Sequence, residues 1–460
     1  MWAIIITSNL RRRAAWPVLI VILTTAIGAA GQSIFPPRID LTEATEKALE
    51  NNPQTRLAET GVKLAEQRIA EVKTARKPFV QFSQTIARSN NPVFVFGSLL
   101  EQGRFGASNF AIDKLNHPSG LFNFRSLVSA QKTLYDGGQT RIRTTQAENA
   151  KKQADWDVET ARQQMRFNVV QTFYGTLLAQ EMLKVSDQAV KSAEANCKKT
   201  KDMVEVGMTT DADYLAADVE LANVLQQKLE VESGLVTTRA ALNIALGDRP
   251  DFVYDLKGDL TEKFFPVEST DELLRIALET RPEMKRAALA VENSRAQTKA
   301  VDNQRLPQVS AFGNFGYSAP YIANGSTDYT VGVSLSYTLF DAGRKSRLEQ
   351  AATAETMAGL EKDTLADRIR LEVVRAAQSY KTSQARIQVS IKSIAQSEEA
   401  LRIIQDRYKF GLTTFNEVLR AETAVVRAKH DLLSARYQYY ISYAAVLLAT
   451  GRLTDVRAFE

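Results

Sequence analysis

Apolar residues between Gly138 and Val206 recur at Val158, Ala161, Met165, Val169, Phe173 and Leu177, then at Met182, Val185, Ala189 and Ala193. Steps of mostly three and four place them on one helical stripe, close to a heptad. No proline interrupts the stretch, and Gly175 is its one glycine. A second stretch, 344–410, repeats the pattern with Ile369, Val373, Ala377, Tyr380, Ile387, Ile391 and Ile394. At 1.5 Å per residue each predicts a helix of roughly 100 Å, a length typical of coiled coils. Two shorter helical segments, 41–76 and 210–246, have about half that length. Placed end to end they match one long helix, which predicts parallel rods, one continuous and one broken at its middle.

Elsewhere the period changes to two. In "YTVGVSLSYTL" (329–339) Tyr329, Val331, Val333, Leu335, Tyr337 and Leu339 alternate with small or polar residues. "VSAFGNFGYS" (309–318) alternates likewise; "VQFSQTIA" (80–87) and "LVSAQKTLY" (127–135) do so less regularly. Strands with one apolar and one polar face occur in half-buried soluble sheets and in membrane barrels with lipid outside and water inside. Lengths near ten residues fit the latter. Four strands are too few to close a barrel, and an open sheet in lipid leaves its edge groups without partners. Several chains must therefore contribute strands. The first pair is joined by a long loop, 89–124, and the second by a short one, 318–328.

The chain is an internal duplication. "EATEKALENNPQ" from Glu43 matches "ELLRIALETRPE" from Glu272 at an offset of 229 that still holds at Pro78 and Pro307. "TLYDGG" (133–138) matches "TLFDAG" (338–343), and "AALNIALG" (240–247) matches "AAVLLATG" (444–451). The predicted organisation is a signal sequence, 1–31; a first repeat, 32–247; a polar linker, 248–269, near the break in the rods; a second repeat, 270–451; and a tail, 452–460.

Composition narrows the function. Arg11, Arg12 and Arg13 precede an apolar run, Ala14 to Ala30, with small residues at its end, the make-up of a secretory signal; a retained single-span anchor is the competing reading. Removing the signal lowers the formal charge from +5 to about +2, so the basic balance says little about partners. Cys197 is the only cysteine, which excludes an intrachain disulfide and reads as a buried, inert thiol. The histidines, His117 and His430, stand apart, no residue cluster has metal-ligand spacing, and no phosphate-binding glycine loop occurs. The expectation is a protein that is not an enzyme, without cofactor or metal. Mixed-sign helix charges argue for solvated faces, not nucleic-acid binding.

One echo remains. "VEVGMTTDADYL" (204–215) and "YKFGLTTFNEVL" (408–419) each place Gly, an apolar residue and Thr-Thr between two helices. Gly serves as a left-handed helix end and Thr as the next N-cap. Together with "LTEATEKALENNP" (41–53), "TLYDGG", "TLFDAG" and "RYKFGLTTFNEVL" (407–419), this resembles the TolC-like family of outer-membrane efflux proteins over essentially the whole mature chain. The resemblance implies a mixed, mostly α fold: a trimeric α-barrel of long coiled helices joined to a 12-stranded transmembrane β-barrel, four strands per chain. It implies a homotrimer set in outer-membrane lipid, docking with a periplasmic adaptor and an inner-membrane pump, and serving as a passive duct for efflux or type I secretion. It places the docking turns at Gly207, Met208 and Thr209 and at Gly411, Leu412 and Thr413. Carried over by motif, Asp213 and Tyr408 form an inter-helix link at a closed tip, and Glu417 forms a constriction ring. Arg420 stands where the best-known members have a second acid, so Glu417 and Arg420 (i, i+3) are placed to pair with each other. A first-turn role at the helix dipole is the other reading of Asp213 and Glu417. The rival for the whole chain is a non-pore periplasmic coiled-coil scaffold or adaptor. The exported substrate is not encoded in any of these features.

Overall fold

A computed structural model describes residues 36–261, 263 and 265–459; the expected signal sequence lies outside them. Short strand β1 (Arg38–Ile39) leads into helices α1 (Leu41–Asn51) and α2 (Pro53–Thr74). Strand β2 (Phe79–Ser89), helices α3 (Pro92–Glu101) and α4 (Ile112–Asn116), and strand β3 (Leu121–Tyr135) follow. The first rod pair is α5 (Gln139–Glu205) and α6 (Asp211–Leu246). Short strand β4 (Asp255–Leu256) precedes the second repeat: α7 (Thr270–Thr280), α8 (Pro282–Asp302), β5 (Gln308–Ala319), β6 (Ser326–Ser336), α9 (Arg344–Lys409) and α10 (Phe415–Ala449).

The long helices α5 and α9, of 67 and 66 residues, match the periodicity. Segment 41–76 does not form the single helix expected of it. Asn52 is extended (ψ 129°), and its side chain accepts from the Gln54 amide while Pro53 opens α2. Proline has no amide to continue α1 and disfavours helical geometry in the residue before it. The second repeat breaks at the equivalent Arg281-Pro282 (ψ 128°), without a side-chain cap.

These breaks are where the rods meet end to end. The Asn52 side-chain amide donates to the Ala245 carbonyl at 3.0 Å, and Gly247, with φ +79°, turns the chain against Asn51. In the second copy the Thr280 hydroxyl donates to the Thr450 carbonyl at 2.6 Å, and Gly451, φ +69°, lies against the Arg281 backbone. A Cβ at either glycine would approach backbone atoms to about 3 Å. Arg281 is buried but paired with Glu283 (2.8 Å) and Glu372 (2.5 Å), as a buried charge must be.

The main core gathers at this level. Phe173 and Tyr174 of α5, Leu242 and Leu246 of α6, Leu273 of α7, Ile369 and Val373 of α9, and Tyr440 of α10 are all buried in it. The linker adds Leu260 and Phe265, and the tail adds Leu453, Val456 and Phe459. β1 and β4 pair in parallel, tying the start of the described chain to the linker.

At the far end from the turns at 207 and 411, β2-β3-β5-β6 form one antiparallel sheet in that order. Its register aligns Val80, Ala130, Gly313 and Val331 across all four strands, and Phe82, Val128, Phe315 and Tyr329 beside them. One face is thus apolar although exposed, with Val331 at 78% and Phe82 at 65%. The opposite face carries Ser83, Ser129, Asn314 and Thr330. β3 starts at Leu121, earlier than its alternation suggested, and β6 ends at Ser336, before Tyr337–Leu339. Segment 89–124, expected as a loop, holds α3 and α4. Among the described residues no helix is long and apolar enough to cross a membrane.

Candidate functional site

The two tip turns are built alike. At the end of α5 the Gly207 amide donates to the Val204 carbonyl (2.9 Å) and the Met208 amide to that of Met203 (2.8 Å). At the end of α9 the same bonds run from Gly411 to Tyr408 (3.0 Å) and from Leu412 to Arg407 (2.9 Å). This is a Schellman stop, which needs a left-handed residue after the cap; Gly207 and Gly411 have φ +74° and +70°. The apolar residues the turns carry stay exposed: Met208 at 73% and Leu412 at 65%, flanked by exposed Val206 and Phe410. Thr209 and Thr413 are half-buried beside them.

The N-caps that follow differ. Thr210 accepts from the Asp213 amide, and the Asp213 carboxylate accepts from the hydroxyls of Thr209 (2.6 Å) and Thr210 (3.2 Å). Thr414 makes no such side-chain bond. Glu417 instead pairs with Arg420 at 3.3 Å, and Arg420 is largely exposed. Within one chain, then, Glu417 and Arg420 come together while Asp213 and Tyr408 do not. The Tyr408 ring packs on Phe415 (centroids 5.6 Å apart), and its buried hydroxyl has no hydrogen-bond partner among the described residues.

Behind the turns lies a separate small core of Ala217, Phe415, Val418 and Leu419, lined by Cys197, Leu401, Ile404 and Tyr408. Cys197 is half-buried, not buried as expected, because it packs at the margin of this small core. Burial and Asp218, 3.9 Å away, push its thiol above the ordinary range. It therefore stays protonated and weakly nucleophilic. His430, half-buried on α10, is pushed below its ordinary value by burial, and among the described residues no group of ligands could hold a metal ion.

The side chain that sequence reading missed is Glu422. It accepts from the Asn196 side-chain amide at 2.7 Å, joining α10 to α5. One residue on, the Thr423 hydroxyl donates to Glu220 of α6 at 3.3 Å. Glu422 and Glu220 line a cavity of about 570 Å³ between the four tip helices, with Val185, Val224, Ile394 and Val425. Burial pushes the Glu422 carboxyl above the carboxylate range and Glu220 adds to this, against hydrogen bonds from Asn196 and Gln405. The signal was present: Glu422 occupies the slot between Leu419 and Val425 in an apolar stripe. A carboxyl raised in the folded state binds more protons there than in the unfolded chain, so it lowers stability as pH rises above the ordinary glutamate value. Glu422→Gln keeps the Asn196 bond without the charge. We expect it to raise the melting temperature at pH 7.5, by an increment that disappears near pH 4. An equal or lower melting temperature at pH 7.5 would contradict this.

The sequence model of the family described as "Outer membrane efflux protein" matches residues 44–248 and 273–452, the two repeats without the linker. Among curated proteins, "Outer membrane efflux protein BepC" of Brucella suis is 20% identical over 419 residues, covering 90% of this chain and 86% of that protein. "Proteases secretion protein PrtF" of Dickeya chrysanthemi is 22% identical over 457 residues, covering 97% and 94%. Among solved structures, the Campylobacter jejuni CmeC outer membrane channel superposes with a TM-score of 0.73 at 18% identity, covering 90% of this chain and 86% of that one.

Proposed function

Because the chain belongs to the outer membrane efflux protein family, we propose that three copies of it form the outer-membrane duct of a tripartite efflux or type I secretion system. The observation that carries this reading is the sheet. Its two outer strands, β2 and β6, have no partner on their outer edges among the described residues, and its apolar face is exposed. In lipid that arrangement is tenable only when the edges are closed by further copies. Pairing β6 of one copy with β2 of the next closes a 12-stranded barrel, with the polar face lining a water path.

The turns at Gly207-Met208-Thr209 and Gly411-Leu412-Thr413 are the docking surface for a periplasmic adaptor, which couples the duct to an inner-membrane pump. Exposed apolar residues on ordered turns suit a contact site. The gate is the ring of tip helices behind them. Its core is thin and it surrounds a cavity, so it belongs to the low-stability end of the molecule, from which moving parts are drawn. Glu417 and Arg420 line the constriction as a neutralised pair. The Tyr408 ring, packed on Phe415 with its hydroxyl buried inside its own chain, braces these helices from within.

Conductance of the purified trimer in a planar bilayer tests both parts. Wild type should conduct weakly, and Phe415→Ala, which empties the small core that holds the tip helices together, should conduct several-fold more, because truncating a buried phenylalanine costs about 3–5 kcal/mol. Unchanged conductance in Phe415→Ala would remove this core from the gate. Absence of any conductance, with no outer-membrane fractionation, would end the duct reading.

A further inference from the structure

The segment between β2 and β3 is anchored to one face of the sheet only. Arg125 of β3 donates to Glu101 at the end of α3 (2.7 Å), to Asp328 of β6 (3.2 Å) and to Ser318 of β5 (3.0 Å). The Ser318 hydroxyl also reaches Glu101, at 3.3 Å. Gln102 donates to the Phe122 carbonyl (2.9 Å) and the Asn123 side chain (3.0 Å), and Gly103 lies against Ser326. Asn123, Arg125, Ser318, Ser326 and Asp328 all belong to the polar rows; the apolar rows run through Phe124, Val128, Phe315, Tyr317 and Tyr329. α3 therefore lies over the face that lines the lumen. It sits at the outer end of the strands, away from α2 and α5.

α3 and its C-cap bury Val95, Ser98 and Gln102, spaced three and four apart on one stripe, toward the wall. The opposite stripe, Val93, Phe96 and Leu100, is exposed and apolar. Phe96, Phe105 and Phe110 stack edge to face at 4.8 and 5.0 Å and extend the surface toward Ile112, 76% exposed. A patch of this kind, held rigidly inside a water-filled lumen, is left uncovered by the described residues of its own chain. A helix fixed to the inner wall presents its far side to the barrel axis, where the other two copies present theirs.

We propose that residues 89–124 form an exit plug: the Val93-Phe96-Leu100 faces of three copies meet on the axis and close the outer mouth, with Arg125 as the latch to the wall. The proposal rests on the trimeric duct reading. Dimensions support it. Twelve strands 4.8 Å apart, tilted about 40°, enclose a barrel of about 24 Å between opposite backbones. Three helices about 10 Å wide occupy that section and leave little open water. The occupant of the apolar face is thus the same face of a second copy of this chain. Opening requires the Glu101–Arg125–Asp328 bridge to part, which makes exit a second barrier in series with the periplasmic tip.

The test is access from outside, which the tip does not affect. In a Cys197→Ser background, Thr330→Cys places a thiol on the lumen face in mid-barrel. A bulky, membrane-impermeant maleimide added to intact cells should label it slowly. Arg125→Ala should speed labelling about tenfold, the factor that loss of a charge-assisted hydrogen bond implies, and replacing 90–120 with an Asn-Gly turn should speed it further. Separately, Val93→Cys should oxidise to cross-linked dimers. Heat-resistant trimers on gels confirm that each variant assembles. Fast labelling in the parent that neither variant alters, or no Val93→Cys cross-link in assembled trimers, overturns the plug and leaves the duct standing. No labelling even by a small maleimide after the segment is removed overturns the duct, and the plug with it.

Discussion

Val331→Arg should abolish outer-membrane assembly, whereas Thr330→Arg, one residue earlier, should be tolerated. Val331 lies near the middle of β6, opposite Gly313 of β5, and points to the exposed apolar face. Thr330 lies opposite Asn314 and points to the polar face. An arginine on the lipid side at mid-bilayer costs about 2–4 kcal/mol. Three copies share the barrel, so the trimer loses on the order of 6–12 kcal/mol, comparable with the whole stability of a typical domain. On the lumen side the same guanidinium stays in water. Heat-resistant trimer and outer-membrane fractionation read the difference. Equal assembly of the two variants would mean that the apolar face does not meet lipid.

Phe265→Ala should be the most destabilising single truncation in the periplasmic part. Phe265 is 3% exposed. Its ring stacks on Tyr443 at 4.4 Å and 7° and meets Tyr439, Tyr440 and Phe459 within 6 Å. Its amide donates to the Tyr439 hydroxyl at 3.1 Å, and its carbonyl accepts from the Tyr380 hydroxyl. Truncating a fully buried phenylalanine costs about 3–5 kcal/mol through lost burial and the cavity left behind. Here it also loosens the backbone contacts of the Tyr380 and Tyr439 hydroxyls; Tyr380 is pushed above its ordinary range by burial and by Tyr439. Thermal unfolding of the purified trimer should show the loss, and protease should cut first within 250–270. A melting temperature like that of wild type would remove Phe265 from the keystone position.

Phe265 also marks where reading the sequence stops. Its segment, 248–269, has neither the helical nor the two-residue period, so it reads as a polar linker. The structure makes it part of the core, because the four helix ends that meet at Asn52, Gly247, Arg281 and Gly451 leave a gap that the linker and the tail fill. Glu422 is similar. Its place in an apolar stripe is visible along the chain, but its partner Asn196 is more than two hundred residues away. Segment 89–124 was legible in part: Asn91-Pro92 is an N-cap followed by proline at the first helical position, yet its Phe, Gly and Asn content reads as loop.

Sequence alone determined what depends on short range. Helix and strand periods, the paired glycine stops at 207 and 411, and the duplication all follow from neighbours within a few residues or from direct repetition. Four strands and the impossibility of open edges in lipid point to an oligomer from the sequence alone. Tertiary structure decided everything that depends on which distant groups meet. It split 41–76 at Asn52, turned Asp213 onto its own threonines, joined Glu417 to Arg420, and laid α3 over the polar face through Arg125. Local patterning sets the direction in which a side chain points; the partner it finds there is set by how long, duplicated rods fold back on one another.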